Sequence, residues 1–374
     1  MNSTLTTARL GNLTRIRTGK LDANANDPEG AYPFFTCARE SLRIATFSYD
    51  TECVLVAGNG DLNVKYFKGK FDAYQRTYII ESLDRNILDV RYLSRFMDQY
   101  LETLRQLSIG GVIKYIKLGN LSDAEIPLPP LPEQRRIAAI LDKADALRAK
   151  RREALAHLDS LAQSIFLEMF GEQTASASKY PAAKLVSVAE LINGDRSGNY
   201  PSGDDLVGSG ILFLSTKNIR DGEMDLSECN FIMQKKFDSL TRGKLKRNDL
   251  VITLRGTLGQ CAIYDCIYDT GFINAQMMII RPSEQIAPQY LRSFIAQPNT
   301  QARLIQNSSG SAVPQLTAAQ IGELVVPLPP MMIQKEFARR LLSVEKLKTP
   351  YRASLVDMNA LFASLQHHAF QGEL

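Results

Sequence analysis

Between Val54 and Asp61 the chain reads Val-Leu-Val-Ala-Gly-Asn-Gly-Asp, an apolar run closed by two glycines one residue apart. A strand turning on such glycines is how a nucleotide or S-adenosylmethionine site brings backbone N–H groups against its cofactor. Glu81 follows about twenty residues on, where an acid would hold a ribose. Three features weigh against a cofactor loop at Gly58–Asp61. Leu62 to Thr77 alternates and carries Gly69, so it predicts a strand rather than the helix whose N-terminus would face an anion. The related stretch Leu254-Arg-Gly-Thr-Leu-Gly259 keeps glycines but loses the spacing. No Asn-Pro-Pro or Asp-Pro-Pro precedes an aromatic, the arrangement that holds an adenine amino group for methylation. A tight turn between strands is the better reading, and a stand-alone S-adenosylmethionine-dependent DNA methyltransferase using Gly58–Asp61 is the alternative.

Other catalytic chemistry is missing. The three histidines (His157, His367, His368) cannot build a His-rich metal centre, and they fall in two long helical segments rather than beside a serine or cysteine nucleophile. Five cysteines without a Cys-x-x-Cys pair fit neither a structural zinc site nor a disulfide framework. They predict reduced thiols and a cytoplasmic protein. The N-terminus shows no secretory signal, and no stretch approaches the roughly 20 apolar residues of a membrane helix. The 374 residues carry 44 basic and 40 acidic side chains. A net +4 neither demands nor excludes a polyanion. A binding protein without metal or catalytic residues is expected.

The elements that would position a binding surface are repeated. Ile126-Pro-Leu-Pro-Pro-Leu-Pro-Glu-Gln134 recurs as Val326-Pro-Leu-Pro-Pro-Met-Met-Ile-Gln334, a shift of 200 that continues without gaps to Phe170 and Phe370. Upstream, Tyr92-Leu-Ser-Arg-Phe-Met97 answers Tyr290-Leu-Arg-Ser-Phe-Ile295, and Thr18-Gly19 answers Asn193-Gly194. The shift grows through the first hundred residues and is then fixed, as expected of a duplicated module with a variable front and a shared back. The boundaries predicted are a first variable domain at 1–126, a Pro-rich lead-in and helix at 127–172, a second variable domain at 173–325, and its lead-in and helix at 326–374.

Pro127, Pro129, Pro130 and Pro132 predict an extended segment. Beyond it, apolar residues at 137, 141, 144, 155, 158, 162, 165 and 169 alternate by four and three, the seam of a coiled coil. Phe337, Leu341, Val344, Tyr351, Leu355, Met358, Phe362 and Leu365 form the second seam. Both are broken mid-way by a base, Arg148 and Lys348. Glu133 to Phe170 makes a rod of about 57 Å, and two such rods are expected to pair antiparallel. Pro350 should kink or interrupt the second. Residues 133–152 hold seven bases against three acids, a local concentration of charge. In the variable domains, Cys53–Ala57, Tyr78–Ile80, Asp249–Leu254 and Met277–Ile280 predict strands. Helices are expected near 89–106 and 287–306, with Gly110 and Gly310 as stop signals.

Two variable domains, each followed by Pro-Leu-Pro-Pro and a long helix, resemble the specificity subunits of type I restriction-modification systems from end to end. The residues that carry this are Glu125 to Asp142 (Glu-Ile-Pro-Leu-Pro-Pro-Leu-Pro-Glu-Gln-Arg-Arg-Ile-Ala-Ala-Ile-Leu-Asp), Ser309-Gly-Ser-Ala-Val-Pro-Gln-Leu316 and Val326–Pro330. The second copy departs from the pattern at Met331, Met332 and Ile333 but keeps Gln334. The resemblance implies an α+β chain with two pseudo-twofold-related mixed α/β target-recognition domains separated by an antiparallel pair of long coiled-coil helices. Each domain would read one half of a bipartite site on double-stranded DNA. The helices would set the spacing and dock two modification (methyltransferase) subunits, which restriction subunits then join. No cofactor is expected in this chain; S-adenosylmethionine, ATP and Mg would belong to the partners.

Base reading is expected where the halves diverge within a common frame, because Arg and Lys suit guanine edges and Asn and Gln suit adenine. The candidates are Asn59, Asp61, Lys65, Tyr74, Gln75 and Arg76 in the first domain. In the second they are Lys217, Asn218, Arg255, Thr257, Asn274 and Gln276. Ile137, Leu141, Leu155, Leu158, Phe337, Leu341, Leu355 and Phe362 are the candidate residues of the spacer and partner-docking helices.

Overall fold

The computed structural model describes residues 6–172, 180–195, 197, 198, 200–306, 308 and 314–374. Contacts group the chain into two compact units, Met1–Ala154 with Tyr351–Leu374, and Leu155–Pro350. Each unit therefore contains a piece of both long helices, Leu131–Phe170 and Met331–Gln371.

The first unit is built on a six-stranded sheet in the order Thr14–Thr18, Thr77–Ser82, Tyr49–Ala57, Val64–Ala73, Tyr32–Phe35, Leu42–Ile44. Pairing is antiparallel except where Tyr32–Phe35 runs parallel to Val64–Ala73. The helix Val90–Leu107 starts at Asp89, whose carboxylate accepts hydrogen bonds from the N–H groups of Arg91 and Tyr92 at 2.9 and 3.0 Å. Its buried face, Tyr92, Leu93, Phe96 and Met97, joins a core to which the long helices add Ile137, Ala138, Leu141, Phe362 and Phe370. Arg151 lies over the Tyr351 ring and Arg148 over the Phe362 ring, 4.5 and 4.2 Å from the centroids. Numbering falls along one helix as it rises along the other, so the pair is antiparallel.

The second unit repeats that frame with a split strand. Its first sheet orders Ala189–Asn193, Met277–Pro282, Leu250–Thr253 and Cys261–Ile263, all antiparallel. A second sheet orders Leu206–Val207, Asn230–Ile232, Ile211–Leu214 and Gly271–Ile273. Within it Leu214 pairs parallel with Ile273, as Phe35 does with Ala73 in the first unit. The single strand Val64–Ala73 thus corresponds to two, Cys261–Ile263 and Gly271–Ile273. Here too the helix pieces are antiparallel: Phe337 meets Phe166 at 5.6 Å between ring centroids, and Lys348 Nζ lies 2.6 Å from Asp159. Every residue of both heptad seams is buried or half-buried.

Three expectations are corrected. Pro132 does not lie in the extended lead-in but in the first turn of Leu131–Phe170, where its missing N–H would have no helical partner in any case. Pro350 does not interrupt the second helix, which runs from Met331 to Gln371 through it; the position is exposed, so water satisfies the carbonyl left over. The helix expected at 287–306 is two, Pro288–Ile295 and Pro298–Gln306, because Pro298 cannot donate to the preceding turn and instead begins a new one. Gly110 follows the end of Val90–Leu107 with φ +118°, whereas Gly310 lies outside the described residues. Among the described residues no helix is long and apolar enough to cross a membrane.

Candidate nucleic-acid interface

In the first unit the candidate residues gather at the sheet end where Tyr49–Ala57 finishes. Gly58 donates to the Arg76 carbonyl at 2.8 Å, binding the turn with Asn59 to the turn with Tyr74, Gln75 and Arg76. Tyr74 N–H donates to Phe35 at 2.9 Å, which brings in the loop after Tyr32–Phe35. That loop holds Arg39, whose guanidinium reaches the Asp61 carboxylate at 2.8 Å. Lys65 donates to the Ala38 carbonyl at 2.7 Å and to Asn63, and burial lowers its pKa. Gln75 Nε2 donates to Asp22 at 2.8 Å, while Arg76 points to solvent. Asn59 forms a bridge with Tyr115. The Gly58–Asp61 segment leads from Tyr49–Ala57 into the antiparallel neighbour Val64–Ala73, a strand-to-strand turn with no helix N-terminus behind it. This is the geometry of a presented loop, not of a phosphate cradle.

The second unit builds the same face from other side chains. Leu254 N–H donates to the Gln276 carbonyl at 2.8 Å, matching Gly58 and Arg76. Asn274 N–H donates to Leu214 at 2.9 Å, matching Tyr74 and Phe35. A Cβ on Gly19 would lie 2.1 Å from the Ala73 carbonyl oxygen, and one on Gly194 2.4 Å from that of Asn274, which explains the glycine found at both places. Arg255 is exposed and held by Gln315, with Nε and Nη2 at 2.9 and 2.6 Å from its side-chain oxygen. Lys217 is exposed and makes no ion pair among the described residues. Its neighbour Asn218 is buried: Nδ2 donates to Asp225 and Glu228 carbonyls at 3.0 and 2.8 Å, and Oδ1 accepts from Ser215 at 2.9 Å. Asn218 therefore shapes the loop that presents Lys217. Asn274 Oδ1 accepts from Gln276 N–H at 3.0 Å, and Thr257 and Gln276 are exposed.

Each unit thus brings its six candidates together on linked turns, which follow strands of one sheet in the first unit and of two sheets in the second. Amides, guanidinium, ammonium and hydroxyl groups on presented loops are the chemistry of base-edge and phosphate contact. Matching main-chain hydrogen bonds hold the turns in both units, and the side chains they display differ.

The family model described as "Type I restriction modification DNA specificity domain" matches residues 2–157 and again 185–351. The chain belongs to this family. Two curated relatives among type I specificity subunits are from Escherichia coli. The EcoDI specificity subunit is 27 % identical over 98 % of this chain and 88 % of its own length. The EcoBI specificity subunit is 23 % identical over 86 % of this chain and 74 % of its own. Among solved structures, the type I restriction-modification S subunit from M. genitalium aligns with a TM-score of 0.58 at 17 % identity, covering 99 % of this chain and 97 % of that one. A chain from a study of type I complex assembly gives 0.51 at 16 % identity, over 99 % and 98 %. These last two establish the shared fold.

For a specificity chain, the sequence reading overlooked several residues that the fold brings onto the same faces. Arg39 reaches its face only because two strands distant in sequence pair in parallel. Gln315 holds Arg255 from a segment 60 residues further along the chain. Arg220 and Gln260 line a cavity beside Lys217 and Thr257. The pairing of the repeats was the available signal: aligning Phe35 with Leu214 puts Arg39 in the position of the loop that carries Lys217. Of the helix candidates, Ile137, Leu141, Phe337 and Phe362 are buried in their units' cores, and Leu155, Leu158, Leu341 and Leu355 are half-buried.

Proposed function

We propose that this chain is the sequence-specific DNA-recognition subunit of a type I restriction-modification complex, each unit reading one half of a bipartite double-stranded target. The observation that carries this reading is one hydrogen-bonded frame used twice, with different side chains displayed at the corresponding loops. A duplicated scaffold with divergent tips fits two different half-sites better than one repeated ligand. The long helices set the distance between half-sites and dock two modification subunits. Restriction subunits join that assembly in the cytoplasm. Methyl transfer and strand cleavage belong to the partners, which bring S-adenosylmethionine, ATP and Mg. The modest net charge suits a reader whose partners supply many of the phosphate contacts.

The test is binding by the reconstituted complex with modification subunits to duplexes carrying the two half-sites. Inserting or deleting one base pair between them should weaken binding at least tenfold. Retention of full affinity at every spacing would overturn the assignment of the helices.

A further inference from the structure

The second unit carries a feature absent from the described residues of the first. Ile219–Arg220 and Glu223–Met224 form a two-stranded hairpin. Its turn is Asp221-Gly222, both in the left-handed region with φ +51° and +74°, as a tight hairpin requires. The hairpin and its preceding turn face the loop 253–260 across a cavity of about 570 Å³. Lys217, Arg220, Asp221, Thr257 and Gln260 line it, two cations, one carboxylate and two uncharged hydrogen-bonding groups. Arg220 is tied to Asp225 at 3.1 Å, leaving Lys217 as the cation without an ion pair among the described residues.

The base of the hairpin is anchored by its own side chains, since Ile219 is buried in a core cluster and Met224 packs against it, while the tip is held separately. Arg292 Nη2 donates to the Gly222 carbonyl at 2.9 Å. Arg292 stands on Pro288–Ile295, whose Tyr290, Leu291 and Phe294 are buried in the central core of the unit. The hydrogen bond thus ties the hairpin tip to the rigid frame. A Cβ on Gly222 would approach Arg292 Nη2 to 2.0 Å, so any other residue there would push the guanidinium out of this position. The repeat supplies an independent comparison. In Tyr92-Leu-Ser-Arg against Tyr290-Leu-Arg-Ser, Arg292 corresponds to Ser94, a buried residue of the unit without the hairpin. The arginine occurs where there is a hairpin to hold.

We propose that this cavity is a base-reading pocket of the second unit, that Lys217 and Gln260 contact the edge of a base pair in it, and that Arg292 is the positioning residue that fixes its wall. The inference rests on the DNA-recognition reading above and adds the location and the determinant of one part of the specificity. Lysine donates to guanine N7 and O6, and glutamine pairs with adenine, so the pocket reads purines.

The experiment uses the full chain reconstituted with modification subunits, acting on a DNA library randomised at both half-sites. Methylated products are sequenced for wild type, Lys217→Ala, Arg292→Ala and Arg292→Lys. Lys217→Ala and Arg292→Ala should each lower base discrimination about tenfold at the same one or two positions of a single half-site, leaving the other half-site unchanged. Arg292→Lys, which can still donate to Gly222, should recover part of it. An equal loss of methylation on all sequences, or unchanged preference with Lys217→Ala, overturns the pocket. Altered preference with Lys217→Ala but not with Arg292→Ala overturns the positioning role. Absence of any two-part preference in the wild-type complex is the separate failure of the recognition reading itself.

Discussion

Gln134 and Gln334, 200 residues apart, make the same three hydrogen bonds. Gln134 Oε1 accepts from Asp89 N–H at 2.9 Å, and its Nε2 donates to the Pro129 and Ile87 carbonyls at 2.9 and 2.8 Å. Gln334 Oε1 accepts from Ala287 N–H at 2.8 Å, and its Nε2 donates to Pro329 and Gln285 at 2.8 and 3.2 Å. Both side chains are fully buried. Each ties the start of a long helix to its Pro-rich lead-in and to the start of the domain helix. Tyr92 and Tyr290 add matching bonds to the Pro127 and Pro327 carbonyls, both at 2.9 Å.

Gln334→Leu fills similar space but leaves one N–H and two carbonyls unpaired in the interior. It should cost about 3 kcal/mol. Thermal or urea unfolding of the chain checks this, and Gln134→Leu should cost a similar amount.

The bases that interrupt the heptads are also related by the repeat. Arg148 Nε donates to Asn359 at 2.9 Å, and Lys348 contacts Asp159 at 2.6 Å, with 359 and 159 again 200 apart. Lys348 is almost fully buried and also meets Glu345 at 2.7 Å. Burial alone would lower its pKa, but the hydrogen bonds to Asp159 and Glu345 outweigh that and raise it. Lys348→Asp should destabilise by about 3 kcal/mol or more, since it puts an unpaired carboxylate at a buried position beside two other carboxylates. Adding Asp159→Lys should return about 1–2 kcal/mol of that, measured as a double-mutant cycle.

Pro350 sits inside a continuous helix at an exposed position. Pro350→Ala restores a backbone hydrogen bond and should stabilise the chain by about 1–2 kcal/mol, less than the full proline penalty because proline also restricts the unfolded chain. A rise in the urea midpoint at unchanged m-value is the expected result.

In the first unit Asp98 lies in a cluster with Arg91, Arg95, Asp142 and Asp145, where Arg95 bonds Asp142 at 2.7 Å. Burial, aided by Asp145 and Asp142 and opposed by Arg95, pushes Asp98 up to about 6. The native state therefore holds this proton more tightly than the unfolded chain, whose value is near 3.8. Its contribution to stability falls as pH rises from about 4 to about 6 and stays lost above. Asp98→Asn keeps the neutral form, so the melting temperature of the variant relative to wild type should be higher at pH 7.5 than at pH 4.5, by roughly 2 °C.

The duplication, the heptad seams and the strands Cys53–Ala57 and Met277–Ile280 were legible because period, register and β-branched runs are local properties. The broken helix at Pro298 and the unbroken one at Pro350 were misread because proline's effect depends on what donates to the orphaned carbonyl, water or a turn. At the sites, residues on the two turns of each sheet end could be found from divergence alone. Arg39 could not, since it arrives by a parallel pairing of strands far apart in sequence. The burial of Asn218 was equally invisible, because asparagine reads alike as a loop brace and as an adenine contact until its hydrogen bonds are seen.

The central claim is that two divergent faces on one repeated frame read two parts of one DNA target. Its most direct measurement is sequencing of methylated adenines in DNA from cells that express this chain with its modification subunits. Two short sequence blocks at one fixed spacing are predicted, with Arg255→Ala altering one block and leaving the other intact. A single contiguous block, or adenines methylated without a common sequence, would contradict it.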